Sequence, residues 1–232
     1  IIPTRLGAKR LPNKPLVKIN NVPTIIHVLN RAKESGVGEV FIATPDNEIL
    51  DIVKENGGQG ILTKKNHLNG TSRIFEVFAK LKNEKLDLII NLQGDLPAIQ
   101  PNCIKKLSQL MDENGCQIGT LASFLYKEEI YDENIVKVQV EKKLKKDSFL
   151  LARDFFRIKK NLKSEEVYHH VGIYAFTKDA LTQYVKFSRS KLEVERNLEQ
   201  MRAMDNNMSI KVGLSDSSPL GIDTEKDLKK VT

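Results

Sequence analysis

The residues whose types and spacing could do chemistry begin with a basic loop near the start of the chain. The segment IIPTRLGAKRLPNKPL runs from the end of an apolar strand into a loop with four cations, Arg5, Lys9, Arg10 and Lys14. Loops that leave the carboxyl ends of buried parallel strands bind ligands in open α/β sheets, and guanidinium and ammonium groups hold phosphates. Three prolines stiffen the segment, which favours a phosphate site over a solvated basic loop. The GxxxxGK[ST] pattern of a Walker loop is absent.

Two acidic segments could supply a metal site. In LIINLQGDLP a continuous apolar strand ends at Gly94 and Asp95, where the glycine would allow a ligand close to the backbone. In GIDTEKDL, Asp223 precedes a helix in which Thr224 and Asp227 have the spacing of a capping box. Magnesium commonly takes one or two carboxylates together with phosphate oxygens and water. Asp95 and Asp223 are therefore candidate Mg²⁺ ligands, with a turn role for Asp95 and a helix-cap role for Asp223 as the alternatives.

The candidate residues must be positioned by strands and helices, and predicted strands alternate with predicted helices along most of the chain. Residues 86–92 form a continuous apolar run, which is typical of a strand buried on both faces. Residues 23–34 repeat their apolar side chains with helical period, and Gly36 follows as a stop signal. This alternation predicts an α/β fold of the Rossmann-like, three-layer type, with a mostly parallel sheet that has helices on both sides.

The middle of the chain breaks this rhythm. Residues 135–140 alternate strictly between apolar and polar, residues 148–152 form a second short apolar run, and a lysine-rich stretch lies between them. This pattern predicts a β-hairpin with a solvated turn, inside an insertion at about residues 130–168. We expect residues 1–232 to form a single domain, with the insertion contributing to dimerisation.

Length and charge narrow the class of protein further. The 232 residues have a net charge of +7, and the excess is local, because the first 33 residues carry seven basic side chains and no acid. Aromatic residues make up 6% and tryptophan is absent, so a compact polyanion such as a nucleoside triphosphate fits better than nucleic acid. No apolar run approaches the ~20 residues of a membrane span, and the first residues lack the charged-then-apolar pattern of a signal peptide, so we expect neither a membrane nor a secreted protein. Cys103 and Cys116 lack metal-ligand spacing, as expected for a protein of the reducing cytoplasm.

Six segments together resemble one enzyme family over essentially the whole chain. Their order and approximate spacing are similar to those of the 3-deoxy-manno-octulosonate (Kdo) cytidylyltransferases, or CMP-Kdo synthetases. The segments are IIPTRLGAKRLPNKPL, NHLNGTSR, NLQGDLP, HHVGIYAF, LEVERNLEQMRAM and GIDTEKDL. The resemblance implies a nucleotidyltransferase fold and a cytoplasmic bacterial enzyme, usually a homodimer. Such an enzyme makes CMP-Kdo and pyrophosphate from CTP and Kdo for lipopolysaccharide synthesis.

The resemblance also implies roles for individual residues. The family's phosphate loop matches Arg5, Arg10 and Lys14, with Lys9 beside them. Its nucleoside-binding segment is similar at Asn69, Gly70, Thr71 and Arg73. Its sugar pocket is similar at Gln93, Arg153, His170, Tyr174, Glu199 and Gln200. The implied catalytic group is Arg10, Lys14, Asp95 and Asp223, the two aspartates being the metal ligands. From the residues alone, His170 would be a strand-end histidine and Glu199 with Gln200 a solvated helix face.

Several positions depart from the family pattern and keep two alternatives open. Ala8 replaces a serine, Asn13 a glycine, Leu96 the glutamate of QGDEP and Arg196 the second glutamate of LExxExLEQ. Asn69 and Ser72 replace a serine and an acid in the nucleoside segment. One alternative is a cytidylyltransferase for another acidic sugar, of the sialic-acid type or an amino-substituted Kdo. The other is a nucleotide-binding regulator without catalysis, against which the two retained carboxylates count.

Overall fold

The computed structural model describes residues 1–7, 11–83, 86–159, 166–222 and 224–229. The strands are β1 (Ile2–Pro3), β2 (Lys18–Ile19), β3 (Val22–Pro23), β4 (Phe41–Thr44), β5 (Gln59–Leu62), β6 (Leu88–Leu92), β7 (Ile118–Ser123), β8 (Lys137–Val140), β9 (Phe149–Phe156), β10 (Val167–Thr177) and β11 (Ile210–Leu214). The helices are α1 (Thr24–Glu34), α2 (Asn47–Glu55), α3 (Gly70–Leu81), α4 (Pro101–Asn114), α5 (Lys178–Tyr184), α6 (Lys191–Arg196), α7 (Met201–Asp205) and α8 (Glu225–Leu228).

The chain divides into two compact units. Unit 1 comprises Ile1–Lys105 with Pro219–Thr232, and unit 2 comprises Lys106–Ser218. No helix within the described ranges is long and apolar enough to cross a bilayer. The single-domain arrangement expected from the sequence stays a prediction.

Unit 1 contains the parallel sheet that the sequence predicts. β1 pairs in parallel with β4, and β4 pairs in parallel with β5. On the other side of β1, the amide of Leu92 donates to the carbonyl of Ile1 at 3.2 Å, and the amino group of Ile1 donates to the carbonyl of Ile90 at 2.8 Å. These two bonds have the pattern of a parallel pair, so the strand order is β5-β4-β1-β6. The order reverses between β1 and β6, and ligands bind at such reversals in doubly wound sheets.

The helices of unit 1 form where the apolar period predicts them. α1 buries Ile25, Ile26, Val28 and Leu29 on one face and ends just before Gly36, which adopts φ +65°. α3 begins after Asn69, whose side chain accepts a hydrogen bond from the Ser72 amide at 2.9 Å. It packs against β1, β4 and β6 and buries Ile74 and Val77. The helix therefore sits directly against the strands whose ends carry the candidate residues.

Unit 2 differs from the predicted mostly parallel arrangement. Among the described residues of unit 2, β11 and β7 pair in parallel, while β10–β7, β11–β9, β8–β9 and β10–β8 are antiparallel. These five pairings close the strands into a ring, because β10 contacts both β7 and β8. The predicted hairpin is confirmed as β8 and β9. The prediction of a mostly parallel sheet is wrong for unit 2, because β8, β9 and β10 follow one another without the crossover helices that parallel pairing requires.

Candidate active site

The basic loop leaves β1 at the carboxyl edge of the unit 1 sheet. The amide of Thr4 donates to the carbonyl of Ala43 at 2.9 Å, and the amide of Leu6 donates to Oδ2 of Asp46 at 2.9 Å. Arg5 lies between these two bonds and is exposed. Lys9 and Arg10, two of the predicted phosphate ligands, fall outside the described residues together with Ala8. The described part of the loop thus presents one anchored arginine at the sheet edge.

Lys14 and Asp95 meet, although 81 residues separate them in sequence. Lys14 starts a 3-10 turn that follows Asn13, and Asn13 adopts the left-handed conformation at φ 52°, which asparagine enters more readily than most residues. The Lys14 ammonium lies 2.9 Å from Oδ2 of Asp95, and the aspartate side chain remains 31% exposed. Two of the predicted catalytic residues therefore form an accessible ion pair where the sheet order reverses.

Two glycines bring the surrounding segments close together. A Cβ atom at Gly94 would lie 3.0 Å from the carbonyl oxygen of Pro3, and one at Gly70 would lie 3.2 Å from Cγ of Pro3. The sequence suggested that Gly94 allows a ligand close to its backbone. In the structure, the group that approaches Gly94 is the backbone of β1. The end of β1, the first turn of α3 and the end of β6 converge at this point.

The segment that carries the second aspartate also reaches Asp95. The amide of Ile222 donates to the carbonyl of Asp95 at 2.9 Å. Thr224 occupies the cap position of α8 and forms the predicted capping box with Asp227, so the cap role that competed for Asp223 belongs to Thr224. Asp223 itself falls outside the described residues. Leu96, which replaces the family's glutamate, is buried.

A buried hydrogen-bond chain links Thr71 to Gln93. Nδ2 of Asn91 donates to Oγ1 of Thr71 at 3.3 Å, and Nε2 of Gln93 donates to Oδ1 of Asn91 at 3.3 Å. Asn91 is completely buried in β6. Asn91 is not among the residues predicted from the sequence, although a single polar residue inside a continuous apolar strand needs buried partners and is a signal for such a chain.

Arg73 is buried against the segment that precedes α3. Its side chain is 3% exposed, and its Nη1 donates to Oγ1 of Thr63 and, at 3.0 Å, to the carbonyl of Lys64. Burial lowers the pKa of Arg73, and the positive charge of Arg5 lowers it further. Arg73 thus stabilises the segment before α3, and direct contact with a nucleotide stays a prediction.

His170 lies among aromatic side chains in unit 2. Its Nε2 is 3.0 Å from Oγ1 of Thr120, and its ring packs edge-on against Phe155 and beside Tyr174. Burial lowers the pKa of His170 to about 3, and the positive charge of His169 acts in the same direction. His170 is therefore a neutral side chain near pH 7, and it lies buried inside β10, so the alternative of a strand-end histidine is wrong.

Tyr174 and the α6–α7 segment lie close to one another. The Tyr174 hydroxyl is buried and has no hydrogen-bond partner in the described part of the chain. Burial raises the pKa of Tyr174 well above 10, and the negative charge of Glu199 adds to the effect. Gln200 is buried, so the solvated helix face considered for it is wrong. Tyr174 thus holds an unused donor in a buried environment.

Arg153 stands apart from this group. Its side chain on β9 is 64% exposed and lies 3.9 Å from Oε2 of Glu141. The next residue, Asp154, pairs with Nη1 of Arg196, which also donates to the carbonyl of Phe155 at 2.7 Å. Arg196 is the departure from the family's glutamate, and in this chain its charge is matched by Asp154. Gln93, the remaining sugar-pocket candidate, belongs to unit 1.

The pKa of His170 leads to a test of its protonation state. The unfolded chain binds a proton at this histidine below pH 6.5, whereas the folded chain does not until about pH 3. We therefore expect His170 to lower stability progressively as the pH falls from 6.5 towards 3, and His170→Gln to make the melting temperature less dependent on pH in this range. Ring resonances of His170 should not shift between pH 8 and 5. A titration midpoint near 6.5 would contradict the buried neutral histidine.

Comparison with known proteins identifies the class of protein. Residues 1–210 match the model of the cytidylyltransferase family, and the chain therefore belongs to that family. It is 38% identical over 231 residues to the 3-deoxy-manno-octulosonate cytidylyltransferase of Nitrobacter winogradskyi, covering 99% of this chain and 90% of that protein. It is 39% identical over 232 residues to the enzyme of the same name from Brucella canis, covering 99% and 92%. The resemblance drawn from the six segments is thus confirmed.

A solved structure gives the same result. The fold is similar to that of CMP:2-keto-3-deoxy-manno-octonic acid synthetase complexed with CTP, with a TM-score of 0.88 and 35% identity, covering 99% of this chain and 94% of that one. This similarity confirms an α/β nucleotidyltransferase fold. Together with the family match, it identifies the protein as a nucleotidyltransferase of the CMP-Kdo synthetase group.

Proposed function

We propose that this protein transfers a cytidylyl group from CTP to Kdo, giving CMP-Kdo and pyrophosphate for lipopolysaccharide synthesis. The observation that carries the proposal is the Lys14–Asp95 ion pair, formed where the loops after β1 and β6 meet. A cation for the phosphates and a carboxylate for a divalent metal are the two requirements of nucleotidyl transfer. The similarity to a CTP complex over 99% of the chain supports CTP as the nucleotide.

In the proposed reaction, the anomeric hydroxyl oxygen of Kdo forms a bond to the α-phosphorus of CTP. The bond between this phosphorus and the oxygen that bridges to the β-phosphorus breaks, pyrophosphate leaves with that electron pair, and the hydroxyl proton is released. Arg5, Lys9, Arg10 and Lys14 would hold the β- and γ-phosphates and stabilise the charge that develops on the leaving group. Gly70, Thr71 and Arg73 would position the nucleoside. Catalysis then comes from positioning and charge stabilisation.

A divalent metal, proposed to be Mg²⁺, fits the residues present. Asp95 offers a carboxylate that remains accessible, and the hydrogen bond from Ile222 holds the segment preceding Asp223 at the Asp95 backbone. No group of three or more His, Cys, Asp or Glu side chains suited to a metal occurs within the described ranges, but magnesium needs only one or two carboxylates beside phosphate and water. Asp95 and Asp223 would hold the ion. When bound, it neutralises phosphate oxygens and polarises the α-phosphorus.

The residues proposed to contact Kdo differ in chemistry. Arg153 is always charged and accessible, which suits the sugar carboxylate. Tyr174 has a hydroxyl without a partner in the described part of the chain, which suits a sugar hydroxyl. His170 stays neutral, with Nε2 beside Thr120. The other proposed contacts are Gln93, Glu199 and Gln200.

We also propose that the enzyme acts in the cytoplasm as a homodimer, with the insertion at about residues 130–168 contributing to the interface. Exposed aromatic side chains at Phe124, Tyr126 and Tyr131, next to and within this region, support the proposal. Light scattering would measure the oligomeric state directly.

Pyrophosphate release tests the proposed function. We expect release from CTP with Kdo and Mg²⁺, much weaker release with ATP or GTP, and none in excess EDTA. A panel of acidic sugars, including a sialic acid and an amino-substituted Kdo, separates Kdo from the alternative acceptors. Binding of CTP without turnover of any sugar would favour the regulator instead.

Arg153→Ala separates the two substrates. We expect it to raise the KM for Kdo by about tenfold or more, because a charge-assisted pair to the sugar carboxylate is lost. CTP binding, measured by calorimetry, should stay near normal, because the phosphate-binding residues belong to unit 1. Lys143→Ala removes another exposed cation between β8 and β9 and should change neither constant. Loss of CTP binding in folded Arg153→Ala protein would contradict the sugar contact and indicate that Arg153 binds the nucleotide.

A further inference from the structure

Asp46 forms a contact that its position in the sequence does not predict. It follows β4 and occupies the cap position of α2, where an aspartate side chain ordinarily accepts a hydrogen bond from its own helix. The Asp46 side chain makes no such bond. Its Oδ2 instead accepts the Leu6 amide at 2.9 Å, across 40 residues of sequence. The carboxylate therefore accepts a hydrogen bond from the basic loop and none from its own helix.

This contact extends the pairing between β1 and β4 beyond the last paired residues. The register places Pro3 opposite Ala43, and the Thr4 amide donates to the Ala43 carbonyl at 2.9 Å. Beyond Thr4 the segments that follow β1 and β4 separate, and the Asp46 carboxylate takes the place of a main-chain acceptor for the Leu6 amide. The Asp46 amide is held in turn by Oγ1 of Thr44 at 3.2 Å. Asp46 is thus held at its main chain by Thr44 at the end of β4 and at its carboxylate by the basic loop.

The charges around Asp46 agree with this role. Arg5 lies between the Thr4 and Leu6 hydrogen bonds, so both neighbours of the exposed arginine are anchored. The buried guanidinium of Arg73 is close enough for the charges of Arg5 and Asp46 to act on it in opposite directions. A carboxylate in this position offsets two cations that would otherwise repel each other.

From these contacts we infer that Asp46 is a positioning residue for the basic loop. It holds Arg5 in place for the phosphate chain of a nucleoside triphosphate. The inference rests on the proposed function, because it takes the loop after β1 as the triphosphate site. Asp46 acts through Leu6 and Arg5. The ligand property that it controls is therefore the affinity for the β- and γ-phosphates, leaving the nucleoside and the sugar unaffected.

The test compares CTP with CMP, which lacks those two phosphates. Asp46→Ala should weaken CTP binding by about tenfold, the scale of one lost hydrogen bond to a charged group, while CMP binding and the KM for Kdo change little. Asp46→Ser caps a helix well, but its hydroxyl is too short to replace the carboxylate, so it should lose CTP affinity at a normal melting temperature. Asp46→Asn keeps an acceptor of the same length but loses the charge, so its loss of CTP affinity should be smaller than that of Asp46→Ala.

A matched control removes a helix cap that has no part in this contact. Thr177 caps α5, its Oγ1 accepting the Ala180 amide at 3.2 Å. Thr177→Ala should lower the melting temperature without changing CTP affinity. Unchanged CTP affinity in Asp46→Ala or Asp46→Ser, equal losses for CTP and CMP, or a loss in Asp46→Asn as large as in Asp46→Ala would each overturn the inference. These binding measurements need no acceptor sugar. If the wild type binds CTP but transfers the cytidylyl group to no sugar, the proposed function is contradicted, while the inference about Asp46 can still be tested.

Discussion

Asp95→Asn is expected to lower the rate of pyrophosphate release by about 10² or more, the scale of one lost stabiliser of transition-state charge. Asparagine has the same shape but no charge, so it is a poor ligand for a divalent metal and no longer forms an ion pair with Lys14. The melting temperature should change little, because a partly exposed ion pair contributes about 1 kcal/mol or less to stability. Initial rates with CTP, Kdo and Mg²⁺, together with thermal denaturation, measure both quantities.

Asp87→Asn is the matched control for this substitution. Asp87 is exposed just before β6, whereas Asp95 follows the same strand, so the two aspartates lie beyond its opposite ends. The control variant should keep wild-type rates and stability. An Asp95→Asn enzyme with the full wild-type rate would return Asp95 to the role of a turn residue.

That the basic loop and Asp95 lie at one edge of a sheet could be predicted from the sequence for a physical reason. The apolar runs around residues 1–3 and 86–92 indicate buried parallel strands, and the carboxyl ends of such strands share one edge of a sheet. The basic loop and the residues after β6 are therefore expected at one edge of the sheet, whereas the pairing of Lys14 with Asp95 depends on the course of the loop. The capping box at Thr224 and the left-handed Asn13 were equally accessible, because each depends on local backbone chemistry.

Other features depend on partners that no local pattern specifies. The closed ring of unit 2 needs β10 to contact both β7 and β8, and short apolar runs do not state which neighbours they will pair with. Asp46 looks like an ordinary helix cap until the Leu6 amide is placed beside it. The family pattern likewise suggested a ligand contact for Arg73, and only the packed structure shows Thr63 and Lys64 around its guanidinium.

The segment LEVERNLEQMR owes part of its pattern to a buried ion pair. Nε and Nη2 of Arg202 each donate to one oxygen of Glu193 at 2.7 Å, and both side chains are nearly inaccessible to solvent. The Arg202 guanidinium also lies 5.1 Å from the ring centre of Tyr184. The pair joins α6 to α7, and Glu199 and Gln200 lie between these two helices. The ion pair therefore stabilises the fold and also holds the segment that carries two of the proposed sugar contacts.

Arg202→Met should lower the free energy of unfolding by about 3–5 kcal/mol at neutral pH, because it removes the buried guanidinium that donates to both oxygens of the Glu193 carboxylate. Urea denaturation measures the change. Arg189→Ala is the control, since Arg189 contacts the same carboxylate at 3.3 Å but is 45% exposed, and its loss should cost about 1 kcal/mol or less. Equal losses in the two variants would contradict a stabilising role for the buried pair.

The pH dependence of the same variants separates charge from packing. Burial by itself would raise the pKa of Glu193, but the hydrogen bonds and charge of Arg202 outweigh it and hold the pKa below its ordinary value of 4.5. In the wild type this ionised carboxylate stabilises the fold above pH 4.5, and the contribution is lost as the pH falls below that value. In Arg202→Met the main contributions that oppose burial are lost and only those of the Ser190 amide and Arg189 remain, so the protonated acid becomes more favourable than in the wild type. The difference in stability between the wild type and Arg202→Met should therefore shrink as the pH is lowered through 4.5, whereas a pure packing defect would keep it constant.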